Sequence, residues 1–231
     1  MNTKLTCLAF VCFASVGPLG AAQPNTLTPA EKSTGWKLLF DGKTLGGWRG
    51  YKIEAPVGWT VQDGALVLAA GRKGDLVTAK EYQDFELSLE WKMSEGGNSG
   101  IIYRVGLGDT SPARSGVEYQ LLDNAKAKDN KTATHHAGAL YDLVAPPKDV
   151  TRPIGQWNEA RIRIQGWKIQ HWLNGVKVAE ADLASPAGKA LIQASKFKIW
   201  TKFASFERGH ITLQDHGDAV SFRSVKIREL K

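Results

Sequence analysis

Apolar and polar residues alternate with a period of two over much of this chain. Phe85, Leu87, Leu89, Trp91 and Met93 point one way, and Glu86, Ser88, Glu90 and Lys92 the other, as a strand buried on one face requires. Ile162 and Ile164 alternate with Arg161, Arg163 and Gln165 in the same manner. Turn signals punctuate these runs. Asp63-Gly64 separates Trp59–Val61 from Ala65–Leu68, and Asn174-Gly175 separates Ile169–Leu173 from Val176–Ala179. Both dipeptides suit two-residue hairpins, whose central positions need positive φ. With Gly166-Trp167 as a third turn, Trp157–Ala181 reads as a three-stranded meander. Helical patterning is sparse. Thr28 and Pro29 can open a single turn, and Phe197, Trp200 and Phe203 recur every three residues within Ser195–Ala204. The pattern predicts an all-β sandwich of two antiparallel sheets with jelly-roll or Greek-key connections and one short helix.

The segment Asp123–Pro153 breaks the alternation. It carries His135-His136, Gly138-Ala139-Leu140-Tyr141-Asp142 and Ala145-Pro146-Pro147. A loop of this length in a compact domain is usually functional or disordered, and its apolar content points to an ordered wall across one sheet.

Composition narrows the chemistry. The 231 residues include two cysteines, Cys7 and Cys12, both in an apolar N-terminal run that follows Lys4 and breaks at Gly17-Pro18. Gly20-Ala21-Ala22 supplies small residues before a cut, so residues 1–22 read as a secretory signal. The run is too short for a spanning helix. An exported protein, periplasmic or extracellular, is expected, with residues 23–34 a polar leader and 35–231 the domain. Cleavage after Ala22 leaves no cysteine, which excludes a thiol nucleophile, a cysteine-ligated metal and a disulfide framework. The net charge of +7 is spread along the chain; it reads as solvated surface and gives no reason to expect a nucleic-acid or membrane partner.

Strand phase then collects the polar groups. In Val117–Leu122, Glu118 and Gln120 lie opposite Val117, Tyr119 and Leu121; in Ile211–Gly217, Gln214 and His216 lie opposite Ile211, Leu213 and Asp215. Arg104 is in phase with Ile102 and Gly100, and Gly96-Gly97 allows close backbone approach. A face with Glu118, Gln120, Gln214, His216 and Arg104 suits a polyhydroxylated ligand. His135 and His136 are adjacent, so at most one faces a site. No His-x-x-x-His and no carboxylate at ligand spacing accompanies them as in a zinc centre.

Gly35-Trp36-Lys37-Leu38-Leu39-Phe40-Asp41-Gly42, Gly97-Asn98-Ser99-Gly100-Ile101, Glu118-Tyr119-Gln120-Leu121-Leu122-Asp123-Asn124 and Gly138-Ala139-Leu140-Tyr141-Asp142 occur in that order. They are followed by Gly155-Gln156-Trp157-Asn158, His171-Trp172-Leu173-Asn174-Gly175 and Gly209-His210-Ile211-Thr212-Leu213-Gln214-Asp215-His216-Gly217. As an ordered set over nearly all of Gly35–Leu230, these segments resemble the bacterial 3-keto-disaccharide hydrolase family. The resemblance implies a concanavalin A-like lectin/glucanase sandwich, an exported bacterial protein and a small-molecule or oligosaccharide substrate.

The carboxylates fit that implication. Ordinary glycosidases use two, and laminarinase-like members of the fold carry Glu-x-Asp-x-x-Glu. Here the stretch reads Glu118, Gln120, Asp123, with an amide in the middle and Asp123 out of phase with Glu118. A 3-keto sugar needs no such dyad. Its ketone acidifies the C2 hydrogen, so one base can remove it, the C1 substituent leaves by β-elimination, and water adds to complete a net hydrolysis. On this reading Glu118 and His216 share the roles of base and proton donor, in either order. Arg104, Lys202 or a bound divalent metal would stabilise the enolate oxygen, though no cofactor is demanded. Gln120, Gln214, Tyr141 and His136 would hold hydroxyls. A non-catalytic carbohydrate-binding module and a conventional endo-glycosidase remain the competing readings; the latter requires a second acid within reach of Glu118.

Overall fold

The structure, a computed structural model, describes residues 23–231; the expected signal at residues 1–22 lies outside them. Two antiparallel sheets form a sandwich. The larger contains β1 (Lys37–Leu38), β3 (Trp59–Gln62), β4 (Ala65–Leu68), β6 (Phe85–Met93), β9 (Asn158–Gln165), β10 (Lys168–Leu173), β11 (Val176–Asp182) and β13 (Val220–Glu229). Its order is β11-β10-β9-β6-β13-β4-β3, with β1 also on β13. The smaller sheet contains β2 (Trp48–Gly50), β5 (Leu76–Thr78), β7 (Asn98–Val105), β8 (Val117–Leu122) and β12 (His210–Leu213), in the order β2-β5-β12-β7-β8.

The turn chemistry works as expected. Asp63 and Gly64 have φ of 49° and 72°, and Asn174 and Gly175 have 50° and 80°, so each pair closes its hairpin with the twist the strands require. The β9-β10-β11 meander forms, with β9 and β10 in continuous register and a register shift between His171 and Trp172 in the β10-β11 pairing. Between the sheets lies the core, with Phe85, Leu87, Leu89 and Trp91 facing Ile101, Tyr103, Tyr119 and Leu121. Glu86, on the polar side of β6, is only 1% exposed because Arg161 and Arg228 both fold onto its carboxylate.

Two helices flank the sandwich. α1 (Pro29–Ser33) starts at Thr28, whose side chain accepts from the Glu31 N–H while Glu31 reaches back, the reciprocal cap that lets five residues hold a turn. The leader is docked: Asn25 Nδ2 donates to the Gly64 carbonyl at 2.8 Å, and Glu31 pairs with Lys226. α2 (Pro186–Ala194) is an addition to the one short helix expected; Ser185 caps it and Pro186 opens it. After α2 the chain forms a 3₁₀ turn, Lys196–Ile199, in place of the one or two helical turns expected there. Its three-residue period brings Phe197 against Trp200 and stacks it on Phe203 at 3.8 Å.

Candidate functional site

β8 presents Glu118 and Gln120 on the face of the smaller sheet turned away from the core. Its other face is fixed by Tyr119, whose hydroxyl donates to the Trp172 carbonyl of β10. Opposite Gln120 on β7 stands Gly100. A Cβ there would fall 2.8 Å from Glu118 Cδ and 3.0 Å from Cγ, so the missing side chain is the space that the carboxylate occupies.

The long loop walls this face. Gly138 N–H donates to the Gln120 carbonyl at 2.8 Å, Gln120 N–H to Ala139 at 3.2 Å, and Tyr141 N–H to Glu118 at 3.0 Å. The loop therefore runs as an extra edge beside β8 and delivers Tyr141 over Glu118. Gly138 has φ of +87°, and a Cβ on it would meet Val178 at 2.8 Å, so the turn requires glycine.

The cavity has a volume of about 160 Å³. Glu118, Gln120 and Asn98 come from the strands; Gln214 and His216 follow β12; Asp129 and Tyr141 come from the loop; Lys196, Phe197 and Trp200 come from the 3₁₀ segment. Asp215 shapes the turn before His216. Its carboxylate accepts from the backbone N–H groups of Lys73, Gly74 and Gly217.

Burial pushes the Glu118 carboxyl up to about 8; Lys196 acts against the shift, and Asp75 and Asp129 add to it. Among the described residues, no side chain or backbone group donates a hydrogen bond to that carboxylate. A carboxyl desolvated and left without donors holds its proton at neutral pH. His216 is an exposed residue; the desolvation that it does undergo, together with repulsion from Arg72, lowers its imidazole below the ordinary value, so it is neutral at pH 7. Asp129 also reaches the cavity, but its oxygens are taken by the Tyr141 hydroxyl at 2.9 Å and by His135 Nδ1 at 2.9 Å. Lys196 Nζ donates to the same Tyr141 oxygen at 3.0 Å. Gln120 Nε2 donates to Asn98 Oδ1 at 3.2 Å. Gln214 Oε1 is buried without a donor among the described residues.

Three expected site residues stand elsewhere. Arg104 has φ of +56° and sits at a bulge, where β7 carries one residue more than β12 between the Thr212 and His210 pairs. The bulge reverses its phase. It is 3% exposed, bonds the Gln83 and Gly166 carbonyls and Asp84, and stacks on Trp167; it is a structural clamp. Lys202 is exposed and outside the cavity wall, where Lys196 stands instead. His136 turns away, its Nε2 on the Asn130 carbonyl at 3.1 Å, and does not line the cavity. Its neighbour His135 supports the site by bridging Asp129 and Asp142 and packing on Tyr141 at 4.5 Å. Asp123 is also remote from Glu118's chemistry: its oxygens accept from the Gly96, Ala125 and Lys126 N–H groups. Glu118, Gln120, Tyr141, Gln214 and His216 do converge. Strand phase missed Asn98, Asp129 and Lys196, since two of these come from irregular segments. Among the described residues no group of three His, Cys, Asp or Glu side chains is disposed to hold a metal ion.

Residues 35–228 match the model of the 3-keto-alpha-glucoside-1,2-lyase-like domain. The chain is 35% identical to a 3-keto-disaccharide hydrolase from Bacteroides thetaiotaomicron, over 92% of this chain and 84% of that one. It superimposes on a crystal structure of a putative glycosyl hydrolase from Parabacteroides distasonis with a TM-score of 0.86 and 32% identity, covering 90% of this chain and all of that one. A carbohydrate-binding module from Bacillus subtilis, CBM66, shares the fold at a TM-score of 0.52 and 12% identity, over 79% of this chain and 96% of that one. With the sandwich, the walled pocket and the ordered motifs in agreement, the chain belongs to the family of 3-keto-alpha-glucoside-1,2-lyase-like domains.

Proposed function

We propose that this protein is an exported enzyme that cleaves 3-keto-glycosides at C1 by elimination and hydration. The observation that carries the reading is the convergence of Glu118 and His216 on one cavity, where burial raises the carboxyl to about 8 and the histidine is lowered below its ordinary value. At neutral pH this pair offers one acid and one base without a second free carboxylate.

His216, neutral, removes the proton on C2, and the electron pair passes toward the C3 oxygen as an enolate. Lys196 supplies the cation for that oxygen, taking the part that Arg104 and Lys202 cannot. As the C3 carbonyl re-forms, the C1–C2 double bond forms, the C1–O bond breaks, and Glu118 gives its proton to the departing oxygen. Water then adds to C1, with Glu118 accepting its proton and the imidazolium returning a proton to C2, which restores both groups. Tuned acid and base pairs of this kind contribute about 10²–10⁴-fold each. Gln214 and Gln120 hold ring hydroxyls, and Trp200 and Tyr141 supply apolar faces. The relative that is named a 3-keto-disaccharide hydrolase and the family description as a 1,2-lyase support this chemistry.

Incubating the purified protein with 3-keto-disaccharides and their unoxidised parents tests the reading. Cleavage of the keto forms alone is expected. Cleavage of an unoxidised disaccharide would overturn it in favour of a conventional glycosidase, and tight binding without product would favour a binding module.

A further inference from the structure

The cavity around Glu118 does not stand alone. A second cavity of about 290 Å³ adjoins it, lined by Gly96, Asn98, Lys128, Asp129, His216 and Asp218. Asn98, Asp129 and His216 line both, so these three form the boundary between two parts of one groove. The Glu118 part falls short of the roughly 300–1,000 Å³ typical of small-molecule sites, whereas the two together reach it.

Their linings differ in kind. The first part has aromatic walls, Tyr141, Phe197 and Trp200, around its carboxyl and amides. The second has no apolar side chain. Its polar groups also have capacity to spare. Asn98 uses Oδ1 to accept from Gln120, which leaves the Nδ2 donors, and Asp218 uses Oδ2 to accept the Asn98 N–H at 3.1 Å, which leaves Oδ1. Lys128, which lines this cavity, is exposed.

We propose that the second cavity is the leaving-group subsite, and that Lys128, Asp218 and Asn98 select a hydroxyl-rich leaving group, a second sugar ring, over an alkyl or aryl one. The reacting ring lies in the aromatic part, and the scissile C1–O bond crosses the boundary beside His216. An apolar leaving group would strip water from a carboxylate, an ammonium and an amide without replacing those hydrogen bonds; a sugar replaces them. This inference rests on the cleavage reading and adds the substrate's second half to it.

Selectivity between a 3-keto-disaccharide and methyl 3-keto-glucoside, taken as the ratio of kcat/KM values, tests the subsite. The wild type should favour the disaccharide, and Lys128→Ala and Asp218→Asn should each cut that preference about tenfold, mainly through KM. Asp218→Asn keeps an acceptor for the Asn98 N–H, so the groove wall should persist. Preference unchanged in both variants, or both substrates slowed alike, would overturn the assignment. Failure of the wild type to turn over either substrate would count against the cleavage reading alone; calorimetric titration with the unoxidised disaccharide and methyl glucoside then decides the subsite. Tighter disaccharide binding that Lys128→Ala weakens would uphold the subsite, and equal binding of the two ligands would overturn it.

Discussion

The Glu118 carboxyl occupies the space that a side chain on Gly100 would fill. A Cβ at position 100 would lie 2.8 Å from Glu118 Cδ, and what it meets is the far end of a flexible side chain. Gly100 does not have positive φ, so alanine is compatible with its backbone. Gly100→Ala should therefore leave the fold intact while displacing the carboxyl by an ångström or so. A loss of about 10²-fold in kcat is expected for a shift of that size, with thermal stability close to wild type. Steady-state kinetics beside a melting curve checks it.

The raised Glu118 carboxyl also makes a stability prediction. Its folded-state value is about 8 against an ordinary 4.5, so between these values the unfolded chain releases a proton that the folded chain retains. Stability from this group is present below about 4.5 and is lost as pH rises toward 8. Asp75, raised to about 6 chiefly by burial, acts the same way over a lower window. Glu118→Gln removes the larger of these losses. The variant should match the wild type near pH 4 and exceed it at pH 8, while kcat falls by about 10²–10⁴-fold. Urea midpoints at the two pH values measure the first effect.

The pH–rate profile should be bell-shaped. The acid limb reports His216 becoming protonated below 6.5, and the alkaline limb reports Glu118 losing its proton near 8. Lys196 is the main group drawing the Glu118 value down. Lys196→Met should therefore move the alkaline limb upward and lower the plateau, because the enolate loses its cation. Profiles of kcat/KM for the two proteins report the shift directly.

Arg104 supplies the opposite control. It bonds two carbonyls and Asp84 in the interior, and lysine cannot reproduce that fork. Arg104→Lys should lower stability by about 1–3 kcal/mol with KM unchanged, as read from denaturant unfolding and kinetics.

Arg104 also marks where sequence reading fails. Alternation located Glu118 and Gln120 because β8 keeps a period of two; Gln214 and His216 lie just past the end of β12 at Leu213 and still line the pocket. A single bulged residue in β7, invisible to periodicity, turned Arg104 from the ligand face into a clamp. Lys196 and Lys202 are the same residue type six positions apart, and only the 3₁₀ turn after α2 decides which meets the pocket. His136, expected to hold hydroxyls, turns to the Asn130 carbonyl, while its neighbour His135 braces Asp129 and Tyr141; the loop's backbone bonds to β8, not periodicity, decide which of the two does so. The hairpin dipeptides were legible for the opposite reason: a two-residue turn is a local choice, settled by residues that tolerate positive φ.

Elimination requires that the C2 hydrogen leave during turnover. Hydrolysis of a 3-keto-glycoside in heavy water, with the released 3-keto sugar analysed by mass spectrometry and proton NMR, measures this most directly. Deuterium at C2 in the enzymatic product, above the level in the same sugar incubated with His216→Asn, is the predicted result. Full turnover with protium retained at C2 would contradict elimination and require direct displacement at C1.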